Sequence, residues 1–379
     1  MTPAGNTIAD VWTVELAAAL GGSLATATTE FSESRVLLVV VELNDGTFGV
    51  GEAGVGHTGQ AARTIPALRC LIEGPYRSLL IGQQLNLTVL RGRLESAFKL
   101  EIRGLGAAAL SGVDIALWDL LAKTLDRPLC EVLGGGRTGV DVYATGGQYR
   151  SATAGWSLEK EVRGYVQSGF TAVKMKVGKA SAGVDLERVR AVRAVLGPDI
   201  ALAVDASYGF TPKQALSFAR LIEPFRIDFI EAPVALGDIE GLAEVRRGSS
   251  IPIAGNEFAS TVAAFKELIA HRCVDYVQPS LIMCGGITEA ARIAALAGAA
   301  GLPVTLQAAG SIISTLASVH FAAANSAVVS CEVNQVHSGL GSGLSAEGLP
   351  VRQGKVKPPS APGLGVTASL AELRELRGQ

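Results

Sequence analysis

The sequence predicts an α/β protein in which an α+β capping domain precedes a (β/α) barrel. The barrel is predicted by eight short apolar runs that begin at intervals of 23 to 30 residues, near Val142, Ala172, Ile200, Asp228, Ile251, Asp275, Pro303 and Val328. Helical patterns lie between these runs, and strands that alternate with helices form a parallel sheet. Before residue 136 the order is different, because strands come first and helices follow.

The capping domain begins with strands. Residues 35–43 form an apolar strand, residues 44–46 read Asn-Asp-Gly, which is typical of a hairpin turn, and residues 48–52 form the return strand. Residues 22–34 are small and polar and predict a loop, as do residues 53–59, which include His57. Residues 60–125 predict helices, most clearly residues 108–123, where apolar side chains recur at helical spacing.

Composition excludes several classes of protein. The 379 residues carry a net charge of −2, so charge gives no reason to expect binding to nucleic acid or to an anionic membrane. The longest apolar runs are too short for a membrane span, and the N-terminus has no signal-peptide pattern. Five scattered cysteines without metal-site spacing are typical of reduced thiols, so we expect a cytoplasmic protein.

Charged side chains end four consecutive strands of the predicted barrel. Lys174 and Lys176 lie in the run at 172–178, and the next three runs end in Asp205, Glu231 and Glu257. In a parallel barrel the carboxyl ends of the strands meet on one face, where catalytic groups are found. Three carboxylates gathered there need a counter-charge, and a site made only of oxygen ligands suits Mg²⁺.

The two lysines are predicted to share one face of their strand, because strand side chains alternate. Beside a divalent cation and each other, their pKa values should be depressed, which would make one of them a usable base near neutral pH. A single Lys-x-Lys is usually a solvated strand edge, and a single acid at a strand end is often a helix cap. Four such features on successive strands favour a functional site instead.

These segments, with Gly-Gly-Ile-Thr-Glu at 285–289 and Glu332, resemble the enolase superfamily, and within it the mandelate racemase and muconate lactonizing enzyme branch. The resemblance covers nearly the whole chain, including residues 104–136, which look like the connection from cap to barrel. It implies a modified TIM (β/α) barrel at residues 137–338, an N-terminal α+β capping domain at 1–136, and a C-terminal segment, 339–379, that returns to complete the cap.

The resemblance also implies roles for the strand-end residues in removing a proton next to a carboxylate. Lys176 would be the base, Lys174 would place positive charge near the substrate carboxylate, and Glu332 would hydrogen-bond the developing enediolate. An alternative for Glu332 is a salt bridge across the barrel mouth. The implied Mg²⁺ ligands are Asp205, Glu231 and Glu257. The implied partners are a small-molecule carboxylate and further copies of the chain in a homo-oligomer.

Two positions depart from the racemase pattern. The strand-six Asp and the strand-seven His of the racemases correspond here to Ser280 and Gln307, and residues 275–284 contain no lysine of the muconate type. Neither a serine nor a glutamine takes a proton from carbon at neutral pH, although both can hydrogen-bond a polyol. The sequence therefore predicts one strong base on one face of the substrate.

Other residues are weaker candidates for substrate contact. They follow barrel strands or lie in the cap: Tyr149, Arg150, His57, Ser207 and His337. The remaining histidines, His271 and His320, lie in helical segments and are interpreted as structural, and Cys284 as a packing residue.

Three functions remain open from the sequence. The first is a lyase that dehydrates a sugar acid or a related hydroxy-carboxylate. The second is an isomerase, either a lactone cycloisomerase or an epimerase; two-base epimerisation is disfavoured by Ser280 and Gln307. The third is a non-catalytic barrel that binds acid sugars, which the complete lysine pair argues against. The substrate's identity depends on the cap segments 22–34 and 53–59.

Overall fold

The computed structural model describes residues 6–54, 61–96, 103–150, 156–337, 339–345 and 347–377. The capping domain contains an antiparallel sheet of strands β1 (Ile8–Ala25), β2 (Glu30–Leu43) and β3 (Phe48–Ala53), joined at the edge of β1 by a short strand, β5 (Tyr149–Arg150). The predicted loop at 22–34 is wrong. Strands β1 and β2 remain paired as far as Ala25 opposite Glu30, so only residues 26–29 form the turn.

The described helices of the cap are α1 (Ala61–Leu71), α2 (Arg77–Leu80), α3 (Leu87–Glu95), α4 (Leu105–Thr124) and α5 (Leu129–Val132). Helices α1, α2 and α4 pack on this sheet, and α3 and α5 pack on α4. Helix α4 lies directly on β3. A Cβ atom at Gly49 or Gly51 would stand only 2.1 Å from a carbonyl oxygen of α4. Among the described residues, α4 alone has the length and hydropathy of a membrane span, but 78% of that stretch is buried, which is the packing of a core helix.

All eight predicted barrel strands form, and they pair in chain order before the last closes on the first. They are β4 (Val140–Gly146), β6 (Ala172–Lys176), β7 (Ala201–Asp205), β8 (Ile227–Glu231), β9 (Ile253–Gly255), β10 (Tyr276–Val277), β11 (Val304–Leu306) and β12 (Val328–Asn334). Strand β13 (Lys355–Val356) adds to β4 in the antiparallel direction. The prediction of a (β/α) barrel with a capping domain is confirmed.

Helices cover the outside of the barrel between its strands. They are α6 (Leu158–Gln167), α7 (Ala182–Leu196), α8 (Pro212–Ile222), α9 (Ile239–Gly248), α10 (Thr261–Ala270), α11 (Gly286–Ala299) and α12 (Ile312–Ala324). Local sequence sets their starts, because a hydroxyl or carboxylate at the N-cap satisfies a free backbone N–H. In α8, Thr211 and Gln214 form a full capping box, and Pro212 occupies the first turn.

The C-terminal segment returns to the cap, as predicted. Helix α13 (Leu370–Arg377) packs along β1. Arg374 lies 2.8 Å from Glu42 of β2, and Arg377 lies 3.4 Å from Glu73.

Buried polar contacts join cap and barrel. Arg91 of α3 forms ion pairs with Asp114 of α4 at 3.0 Å and with Glu289 of the barrel helix α11 at 3.3 Å. Glu52 of β3 accepts hydrogen bonds from the backbone N–H and the hydroxyl of Ser311 at the start of α12. These contacts fix the cap over the carboxyl ends of the barrel strands.

Candidate active site

Strand register places the predicted catalytic groups side by side. Lys176 at the end of β6 is directly opposite Asp205 at the end of β7, and Asp205 is opposite Glu231 at the end of β8. Lys174 lies on the same face two residues earlier, because strand side chains alternate. Lys174, Asp205 and Glu231 are each 1% exposed, and the side chain of Lys176 is 15% exposed.

The lysines and carboxylates form one chain of charged contacts. Lys176 Nζ donates a hydrogen bond to Asp205, and Lys174 Nζ donates one to Glu231. Lys174 Nζ also lies 3.6 Å from Glu332 Oε1 and 4.0 Å from Asp205 Oδ2. The two ammonium groups therefore contact three acids, and Glu257 is a fourth acid that lines the barrel mouth.

The carboxylates that surround the two lysines raise both of their pKa values, whereas the predicted depression concerns lysines beside a divalent cation and stays a prediction. Burial alone would lower the pKa of Lys174, but the negative charges of Glu231 and Glu332 outweigh it and hold this pKa well above its usual value. Burial likewise opposes a charged Lys176, and the charge of Asp205 raises its pKa. The expected depression depended on a divalent cation, whereas the charges that face the ammonium groups here are carboxylates.

Crowding also shifts the pKa values of the acids. Burial and the adjacent charge of Asp205 raise the pKa of Glu231 well above its usual range, although Lys174 opposes them. The same two causes raise the pKa of Glu257 to about 7. Asp205 is the exception, because the two lysines outweigh its burial and lower its pKa to about 2. The acids are thus short of positive charge, which a bound cation would supply.

Neighbouring donors orient three of these acids. The backbone N–H and the hydroxyl of Ser207 donate to Asp205 Oδ1 at 2.7 and 3.0 Å. Gln278 Nε2 donates to Glu231 Oε2 at 2.6 Å, and the backbone N–H of Ala308 donates to Glu332 Oε2 at 2.9 Å. Sequence reasoning missed Gln278, although it directly follows β10 and the strand-end rule could have found it.

A cavity of about 70 Å³ lies over the charged strand ends. The barrel contributes acids and amides to its wall, and the cap contributes the turn between β1 and β2, with Thr26, Thr28, Thr29 and Phe31. The segment predicted to influence substrate choice therefore reaches the site, although it is mostly strand. A larger cavity of about 1030 Å³ lies between β1 and α13, and none of the strand-end acids lines it.

Some of the residues predicted to contact the substrate line the cavity, and others do not. Gln307, Ser207 and His337 line the cavity. Ser280 is fully buried, pairs with Gln307 in a parallel β-bridge and is not among the residues that line the cavity. Tyr149 does not line the cavity, because its hydroxyl donates to Asp185 Oδ1 at 2.5 Å. His57 lies outside the described residues.

The two histidines and the cysteine interpreted as structural lie outside the cavity wall. His320 is buried in α12, where its Nδ1 accepts a hydrogen bond from the backbone of Cys130 at 3.1 Å. His271 caps the end of α10 by donating to Glu267 O at 3.1 Å. Cys284 is fully buried, and burial raises the pKa of its thiol. Arg150, by contrast, is a candidate for substrate contact, and it does not line the cavity; its guanidinium packs over Trp156, 5.3 Å from the ring centre.

The carboxylate oxygens of the site are chemically suited to bind a hard divalent cation. Asp205, Glu231 and Glu257 all line the cavity, and Glu257 Oε2 is buried with no hydrogen-bond partner. Carboxylate oxygens are the ligands that Mg²⁺ prefers. Within the described ranges, however, no three His, Cys, Asp or Glu side chains form a preassembled metal cage. The ammonium groups of the two lysines bind Asp205 and Glu231, so ligation requires these contacts to open.

Two family models match most of the chain. Residues 8–134 match the mandelate racemase / muconate lactonizing enzyme N-terminal domain, and residues 157–372 match the enolase C-terminal domain-like family. The chain belongs to the mandelate racemase and muconate lactonizing enzyme branch of the enolase superfamily. This confirms the resemblance inferred from the strand-end residues.

Relatives within the superfamily catalyse more than one kind of reaction. The chain is 32% identical to an arabinonate dehydratase from Saccharolobus solfataricus, over 88% of both chains, and 32% identical to a D-galactarolactone cycloisomerase from Agrobacterium fabrum, over 93% of both. It resembles the structure of a mutant L-talarate/galactarate dehydratase from Salmonella typhimurium liganded with Mg and L-glucarate, with a TM-score of 0.85 and 26% identity, over 98% of this chain and 92% of the other.

Proposed function

We propose that the protein is a Mg²⁺-dependent lyase that dehydrates a sugar acid or related hydroxy-carboxylate, with Lys176 as the base. The observation that carries this proposal is the contact of Lys174 and Lys176 with Glu231 and Asp205 inside a cavity closed by the cap. Similarity to an arabinonate dehydratase over most of both chains supports the dehydration. The complete lysine pair favours catalysis over binding alone.

The proposed ligands of the metal are Asp205, Glu231 and Glu257. The bound cation would supply positive charge to the carboxylate oxygens of the substrate, where negative charge develops. Lys174 adds a fixed positive charge beneath them. Lys176 can act as a base only when neutral, so its contact with Asp205, which raises its pKa, must be given up before turnover.

The proposed dehydration transfers one proton and expels one water. The bond between the α-carbon and its hydrogen breaks, and the proton moves to Lys176 Nζ. The bond between the β-carbon and its hydroxyl then breaks, and Lys176 returns the proton to the leaving oxygen from the same face. The remaining enol becomes a 2-keto acid. Gln307 also lines the cavity and would hold a hydroxyl there rather than act as a second base.

A second candidate is opening of a lactone or anhydro ring, which is an isomerisation. Similarity to a D-galactarolactone cycloisomerase over 93% of both chains favours it. Ring opening by elimination uses the same α-proton and the same base, and the leaving oxygen stays attached to the product. The two reactions therefore share Lys176 and differ only in the group that leaves.

A panel of sugar acids and their lactones, incubated with Mg²⁺, tests the proposal. Dehydration predicts a 2-keto acid that accumulates with wild-type protein and not with Lys176→Ala. Lys213→Ala, which removes an exposed lysine from α8, is the matched control and should retain activity. Formation of the 2-keto acid by Lys176→Ala would show that another group is the base. Product with an unchanged formula would favour ring opening.

A further inference from the structure

We propose that the substrate of this site carries one carboxylate and that its far end is neutral and hydroxylated. This inference rests on the proposed function and adds the class of substrate. An open aldonate and the lactone of a sugar diacid both meet the description, because each has one free carboxylate. An open sugar diacid does not.

The first argument is the charge around the cavity. Four acids line it, Asp205, Glu231, Glu257 and Glu332. Among the described lining residues, the one lysine or arginine is Lys176, and Lys174 lies buried next to them. With all of these groups ionised, two ammonium groups and one bound divalent cation would balance the four acids. The first substrate carboxylate already exceeds this balance, and a second would be a buried charge without a partner, which is strongly unfavourable.

The second argument is that nearby guanidinium groups are held behind the wall. Arg188 donates to the carbonyl oxygens of Gly147 at 2.6 Å and Lys176 at 3.2 Å, and it stacks 4.1 Å from the Tyr149 ring centre. Arg150, which packs over the ring of Trp156, does not line the cavity either. Outside the described residues the sequence contains a single lysine or arginine, Lys99. The described structure thus offers no permanent cation to a second carboxylate.

The third argument is the hydrogen-bonding character of the wall. Gln148 and Gln307 are 2% and 4% exposed, both line the cavity, and the Oε1 atom of each is buried without a hydrogen-bond partner. A hydroxyl both donates and accepts, so it satisfies a side-chain amide in either orientation. A carboxylate only accepts and leaves an amide oxygen unsatisfied. Threonines of the cap turn add further hydroxyl partners, Thr26, Thr28 and Thr29. This wall is suited to a polyol chain or a lactone ring.

The test compares matched pairs of ligands by titration calorimetry with Mg²⁺. The Lys176→Ala variant should bind ligand without turnover. For each sugar configuration, the aldonate, the open diacid and the diacid monolactone are titrated separately. We expect the aldonate or the lactone to bind at least tenfold more tightly than the open diacid. Competition against turnover by the wild-type protein should give the same order from an unaltered site.

A gain of binding provides an independent test. Gln148→Arg places a cation in the wall and should strengthen binding of the open diacid by at least tenfold relative to the aldonate. Gln167→Arg, at the exposed end of α6, is the matched control and should leave both affinities unchanged. If Gln148→Arg leaves the order unchanged, the assignment of this wall to the far end of the substrate is wrong.

The outcomes separate this inference from the proposed function. If open diacids bind as tightly as aldonates while Lys176-dependent proton exchange persists, this inference is wrong and the proposed function stands. The variants Lys99→Ala, His57→Ala and His337→Gln would then identify the group that binds the second carboxylate. If no sugar acid binds or exchanges its α-proton, the proposed function fails, and this inference fails with it.

Discussion

Arg91 is predicted to be the most costly single truncation at the junction of cap and barrel. It is 6% exposed and ion-pairs with Asp114 and Glu289, each 4% exposed, as well as with Glu95 at 2.7 Å. Arg91→Ala would leave the buried carboxylate of Asp114 without its cation, whereas Glu289 would keep Arg292 at 2.8 Å. Breaking a buried ion pair from one side costs about 3–5 kcal/mol, because the remaining charge is not compensated.

The assay is urea unfolding at pH 8, with the free energy of unfolding as the measured quantity. The matched control is Arg127→Ala. Arg127 pairs with Glu131 in the same i,i+4 arrangement as Arg91 with Glu95, but the Arg127 and Glu131 side chains are 67% and 48% exposed. An exposed pair of this kind contributes about 0–1 kcal/mol. A loss for Arg91→Ala no larger than that of Arg127→Ala would refute the reasoning.

The pH dependence of the variant gives a second measurement. Burial raises the pKa of Asp114 even with Arg91 present, and loss of the guanidinium raises it further. A carboxyl group whose folded pKa exceeds its unfolded value loses stability as pH rises through that interval. The deficit of Arg91→Ala should therefore be smaller at pH 5 than at pH 8. An equal deficit at both values would mean that other groups compensate the charge of Asp114.

Three further predictions follow from buried positions. Burial raises the pKa of Glu52 to about 7 from 4.5, so the contribution of Glu52 to stability falls as pH rises between those values. Glu52→Gln should therefore remove up to about 3 kcal/mol of the change in unfolding free energy between pH 5 and 8. The same dependence of unfolding free energy on pH in the variant and the wild-type protein would contradict this. Gly51→Ala should lower the free energy of unfolding by about 1–3 kcal/mol, because its new Cβ atom would force β3 away from α4. The control is Gly164→Ala, which has open space around its Cβ position and should be neutral or stabilising. Similar free energies of unfolding for the two variants would refute the packing argument. Asp205→Asn should weaken Mg²⁺ binding in calorimetry, and unchanged affinity would exclude Asp205 as a ligand.

The barrel could be predicted because its information is local and repeated. Each apolar run is bounded by helical segments, and the charges that end four consecutive runs mark the catalytic face. The antiparallel hairpin of the cap could not be read in the same way. Residues 22–34 have loop-like composition, yet Leu24 pairs with Phe31 across the turn, after an irregularity between Ala19 and Leu24. Cross-strand pairing overrides local composition here.

The parts of the site that were missed depend on contacts between distant residues. Gln278 and Gln148 have no motif of their own, and their importance comes from the acid or the cavity that they face. Tyr149 has the chemistry of a substrate contact, but Asp185, 36 residues away, binds its hydroxyl. The sign of the lysine pKa shifts also depends on which charges are nearest, and sequence spacing does not give those distances.

Exchange of the α-proton in D₂O tests the central claim, that Lys176 is the single base, most directly. Both epimers of a substrate that is turned over are incubated with Mg²⁺, and deuterium at the α-carbon is measured by NMR. We predict exchange from one face only, its loss in Lys176→Ala, and a larger effect of Gln307→Ala on substrate affinity than on exchange. Rapid exchange of both epimers, surviving Lys176→Ala for one of them, would show that a second base exists and would contradict the account.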